Sequence, residues 1–200
     1  MATTRDLEAA FRKEPRLQSG EVRMLTRILQ DAELLPKGRR GGWRQMPELT
    51  PVHCAIWLVG LAVTRRSGLR NVAGLRKRIK RVLGLVNKRD PEETFGGFMT
   101  QLITDYADGR FPERFMPLRI LIVNDDTNPT AEFAFSDPKR QGKDDEYGEV
   151  IFVAPEYLAK SEDEILNQKG TAFADAFVIG AEVLFTFREV FEKDAGAPTE

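Results

Sequence analysis

Apolar residues recur along this chain first with the period of helices and later with the alternation of strands. Leu7, Ala10 and Phe11 share one face of a short helix predicted over Asp6 to Lys13, with Thr4 or Asp6 as its cap and Pro15 helping to end it. Val22, Leu25, Ile28, Leu29 and Ala32 then form a second helical stripe behind Ser19, closed by Leu34, Leu35 and Pro36. On the other side of that helix Arg23, Thr26, Arg27 and Gln30 stand at i, i+3, i+4 and i+7, which predicts a polar row pointing away from the core. Thr50-Pro51 is a strong helix start, a capping residue followed by proline at the first helical position. The helix it opens, His53 to about Thr64, is apolar on nearly every side and is predicted to be the central core helix.

A fourth helix follows over about 71–86. Val72, Leu75, Ile79, Val82, Leu83 and Val86 lie on one face, while Arg76, Lys77, Arg78, Lys80 and Arg81 make its outer surface cationic. A fifth is predicted over Glu92 to Ala107, weakened by Gly96-Gly97. Beyond Pro117 the pattern turns extended, at 118–124, 130–136 and 148–154, with turn residues between, which predicts a small antiparallel sheet. A last helix over Thr171 to Phe191, with Phe173, Phe177, Ala181, Leu184, Phe185, Phe187 and Phe191, is expected to cover that sheet or to pair with a second copy of the chain. The fold class expected is therefore α+β. A helical N-terminal domain (1–89) leads through a connecting helix (90–116) to an acidic α+β domain (117–194), with a disordered tail at 195–200.

Charge sharpens this picture. Residues 1–89 hold 20 Lys+Arg against 7 Asp+Glu, a net +13, and residues 90–200 hold 10 against 24, a net −14; the overall −1 hides two opposed halves. A basic half joined to an acidic one fits a nucleic-acid-binding module attached to a part that faces solvent or protein, against the plain alternative of charged helix surfaces. The segment Lys37 to Arg44, KGRRGGWR, supplies Lys37, Arg39, Arg40 and Arg44 beside three glycines that permit tight turning.

Other chemistry is sparse. Cys54 and His53 are the only cysteine and the only histidine, so an internal disulfide and a cysteine-based zinc site are excluded, and neither residue stands in a nucleophile motif. The basic tongue lacks the residue order of a phosphate loop. Asp125-Asp126 after an apolar strand resembles the acidic cluster of a receiver domain, but the chain continues into another strand instead of a helix. No catalytic role, cofactor or metal is expected. The longest nearly apolar run, Ala55 to Val63, is too short to cross a bilayer, and the N-terminus has no signal-like apolar region, so a cytoplasmic protein without membrane contact is expected.

The order of a short helix, a helix with a polar outer row, the tongue LLPKGRRGGWRQMPEL and a helix starting Thr50-Pro51 resembles the winged helix-turn-helix group. The stretch ILQDAELLPKGRRGGWRQMPELTPVHCAIWLVGL is similar to the helix, wing and following helix of MerR-like domains, as also seen in phage DNA-packaging small subunits. The predicted C-terminal sheet differs from the coiled coil of MerR regulators, so ligand-sensing roles are not carried over. The resemblance implies that Arg23, Thr26, Arg27 and Gln30 form a recognition face for the major groove and that Lys37, Arg39, Arg40 and Arg44 are wing residues reaching phosphates or the minor groove. The cationic face of Arg76, Lys77 and Lys80 is expected to make a second contact with the DNA backbone, with pairing to the acidic half of the same chain as the alternative. The function expected is sequence-specific binding of double-stranded DNA, first for transcriptional regulation, with self-association through the C-terminal half. The alternatives are a phage-type packaging subunit and an adaptor that binds proteins through its two charged halves.

Overall fold

The helix that is apolar on nearly every side is the axis of the molecule. The structure is a computed structural model that describes residues 2–13, 17, 19–38, 47–67, 72–110, 116–123, 129–136, 147–159, 176–180 and 182–192. In it this helix, α3, runs Pro51–Ser67, and Cys54, Ala55, Trp57, Leu58, Val59, Leu61, Ala62 and Val63 are all buried. A helix with so many apolar sides needs neighbours all round. α2 (Ser19–Asp31), α4 (Val72–Leu83) and α5 (Phe95–Ala107) pack directly on it. α1 (Thr4–Phe11) reaches it through Phe11, whose ring lies 4.4 Å from that of Trp57, and α6 (Glu182–Glu192) packs on α1 and α5, placing Phe187 5.1 Å from Phe11.

Local signals set most of the ends. α1 starts with a capping box on Thr3, ahead of both expected cap candidates: the Thr3 hydroxyl accepts from the Asp6 amide, and the Asp6 carboxylate accepts from the Thr3 amide at 3.0 Å. Thr94 caps α5 by accepting from the Gly97 amide at 3.1 Å. The glycine pair does not break this helix. Gly96 is where α5 meets the end of α4: a Cβ there would lie 3.0 Å from the Leu83 carbonyl oxygen.

Among the described residues the sheet has five strands in the order β1-β4-β3-β2-β5, every neighbour antiparallel. Its centre is the expected meander of β2 (Met116–Val123), β3 (Thr130–Ser136) and β4 (Tyr147–Val153). Two short strands complete it, β1 (Val86–Asn87) beside β4 and β5 (Ala176–Gly180) beside β2. β5 falls wholly where helix was expected, and β1 begins at Val86, the expected last residue of the fourth helix. The fourth helix stops at Leu83, and Val86 and Asn87 pair with Val153 and Phe152; the last helix starts only at Glu182. The apolar spacing in these segments satisfies either period, and the open edges of β4 and β2 decide the matter by offering backbone partners.

Ile120, Phe133 and Phe152 mark the inner face of the sheet. The aromatic rings laid on it come from α5, with Phe95 5.2 Å from Phe152 and Phe98 5.0 Å from Phe133. The expected cover, the C-terminal helix, instead buries Leu184, Phe187 and Val190 against helices. The change of charge near Lys88 falls inside one buried cluster that extends from Ala2 to Val190, so residues 1–89, 90–116 and 117–194 share a core. Among the described residues no helix is long and apolar enough to cross a membrane.

Candidate functional site

α2 carries the side chains expected to enter a groove, and its two faces separate them. Thr26 belongs to the inner face: it is only 2% exposed, its hydroxyl donates to the Val22 carbonyl at 2.9 Å, and it accepts from the Trp57 indole nitrogen at 3.2 Å. The expected outward role of Thr26 is thereby corrected. Threonine can turn its hydroxyl back on the preceding helical turn, so a polar residue sits in an apolar stripe without an unmet hydrogen bond. Gln30 is half-buried and its side-chain amide donates to the Pro36 carbonyl at 3.1 Å, holding the turn that follows the helix.

Arg23 and Arg27 are exposed. The Arg23 guanidinium lies 3.8 Å from the Glu8 carboxylate, whereas Arg27 has no acid partner among the described residues. Between them stands Met24, 48% exposed and outside the expected polar row. A signal was available in the sequence, because Met24 is an apolar residue lying off the stripe of Val22, Leu25 and Leu29.

The C-terminal end of α2 gathers the other cations. Glu33, the only described non-glycine residue with positive φ, at +56°, follows the last turn, where the Leu34 amide donates to the Leu29 carbonyl at 2.9 Å. Its carboxylate meets the Arg76 guanidinium of α4 at 3.3 Å, and Asp31 meets the Lys37 ammonium at 3.1 Å. Lys37 and Arg76 are thus tied to the same end of one helix although 39 positions separate them in the chain. Lys77 and Lys80 continue the exposed cations along α4 and have no acid partner among the described residues. Arg81 turns another way and meets Glu156 at 3.6 Å. Arg39, Arg40 and Arg44, together with the tail 195–200, lie outside the described residues.

Of the other chemistry-bearing residues, Asp125 and Asp126 lie outside the described residues, and Cys54, Tyr106 and His53 are wholly or partly buried. Burial pushes the Cys54 thiol up to about 12, which leaves it protonated and unreactive. Burial also raises the Tyr106 phenol to about 12. His53 lies at the start of α3, where its Nδ1 accepts from the Thr50 amide at 3.1 Å; burial lowers its pKa, and an acceptor role at Nδ1 favours the same neutral form. Among the described residues no group of three His, Cys, Asp or Glu side chains converges to hold a metal ion.

Comparison with known proteins returns no matching family, no matching curated sequence and no matching solved structure.

Proposed function

We propose that the protein binds double-stranded DNA through a surface led by phosphate contacts, as a winged helix-turn-helix-like module that regulates transcription in the cytoplasm. The observation that carries this reading is the meeting of Lys37 and Arg76 at the end of α2, continued by the exposed Lys77 and Lys80 of α4. Clustered cations on adjoining elements match a backbone that carries one negative charge per about 1.7 Å of duplex. Arg27 and Arg23, exposed on the outer face of α2, are the side chains left to reach base edges once Thr26 is turned inward. Self-association belongs to the C-terminal half, where Val178 on the edge strand β5 is more than half exposed. A packaging role in a phage-type small subunit would use the same contacts.

The experiment is titration of labelled duplex DNA at several salt concentrations. Affinity falls steeply as salt rises, and Lys77→Ala with Lys80→Ala weakens binding equally across sequences while flattening the salt dependence by about 0.9 in log–log slope per lost phosphate contact. Arg27→Ala relaxes sequence preference. Absence of duplex binding at low salt refutes the proposal. The second reading, an adaptor that binds proteins through its two charged halves, is favoured if duplex does not bind at low salt while a protein partner does.

A further inference from the structure

Two acids stand at the end of α2 against local preference. The C-terminal turn of a helix favours cations, because its free carbonyls carry partial negative charge, yet α2 has no basic residue there and places Asp31 in its last turn. The next left-handed position favours glycine or asparagine, yet Glu33 occupies it at φ +56°. Each misplaced carboxylate is compensated by a cation of the candidate surface, Lys37 at 3.1 Å and Arg76 at 3.3 Å. Both pairs are exposed, so each is weak enough for another anion to replace the carboxylate.

We infer that Asp31 and Glu33 are selectivity residues of the cationic surface, occupying Lys37 and Arg76 until a dense polyphosphate backbone displaces them. This inference rests on the DNA reading above and deepens it. An internal carboxylate stays at high local concentration, so an anion with sparse charges gains little by replacing it. A duplex replaces both carboxylates in one event and keeps Lys77 and Lys80 as further contacts. The acids therefore weaken all binding somewhat and weaken sparse anions more.

The test uses the full chain with Asp31→Asn and Glu33→Gln combined, and Glu33→Gln alone in case the pair impairs folding, with far-ultraviolet circular dichroism as the folding control. Duplex DNA and polyglutamate are titrated against each from about 50 to about 200 mM salt. Lys37 and Arg76 neutralise the same phosphates with or without the acids, so the log–log salt slope for duplex, about 0.9 per phosphate contact, stays the same while the affinity changes. Duplex affinity rises by about twofold to fivefold, the scale of an exposed ion pair. Polyglutamate gains more than duplex, and the ratio between the two narrows. If the wild-type protein binds duplex but duplex affinity and the ratio are unchanged in the variants, the selectivity role is wrong and the DNA reading stands. If wild type and variants all fail to bind duplex at low salt, both fall together.

Discussion

Thr26 separates stability from recognition in a single substitution. Thr26→Val keeps the shape of the side chain and removes its hydroxyl, which leaves the Trp57 indole N–H, now donating at 3.2 Å in a fully buried site, without an acceptor. An unmet buried donor costs about 1–3 kcal/mol. The second lost bond, from the hydroxyl to the Val22 carbonyl, adds little, because that carbonyl belongs to the helical ladder of α2. For a chain of this length each 1 kcal/mol lowers Tm by about 2–4 °C, so a loss of about 2–12 °C is expected in a thermal melt. Trp57→Phe in the Thr26→Val background removes the stranded donor and recovers part of the loss, since replacing both partners by apolar groups is far milder than removing one. Duplex affinity and sequence preference of folded Thr26→Val stay at the wild-type level, because the side chain faces α3. A variant with unchanged Tm and altered sequence preference would refute the burial argument and return Thr26 to the outer face.

Other outcomes follow from single contacts. His53 accepts at Nδ1 and has a pKa lowered from 6.5, so the folded state binds fewer protons than the unfolded one; its contribution is present above pH 6.5 and is lost as pH falls through that value towards the folded pKa. Thermal melts between about pH 5 and about pH 8 should show a steeper acid-side decline for wild type than for His53→Gln, and parallel curves would contradict the assignment. Gly96→Ala should destabilise more than Gly60→Ala in urea unfolding. The added Cβ at 96 meets the Leu83 backbone at 3.0 Å, whereas at 60 it meets the side-chain ends of Leu29 and Leu25, so overpacking of about 1–3 kcal/mol is partly relieved there. Cys54 should resist alkylation in the native protein at neutral pH and react fully in denaturant, with fast native labelling as the contrary result.

Much of the fold follows from patterns that act over a few residues. The stripe of Leu7, Ala10 and Phe11, the Thr50-Pro51 start and the all-round apolar helix behind it encode α1 and α3, because helical period and capping depend only on near neighbours. Alternation in the central meander is equally local, and β2, β3 and β4 lie where it predicts strands. The cationic character of α4 and the excess of charge before Lys88 are read from composition alone.

Tertiary structure alone decided the elements and side chains that have two locally acceptable states. Val86–Asn87 and Ala176–Gly180 become strands because β4 and β2 present unpaired backbone edges, a partner remote in sequence. Thr26 turns inward because Trp57, 31 positions later, brings an indole N–H that needs an acceptor. Lys37 and Arg76 adjoin one helix end because α2 and α4 both pack on α3. A polar side chain on a helix can face either way at small local cost. What fixes its direction is the group that arrives from elsewhere in the chain, and that arrival is set by the fold as a whole.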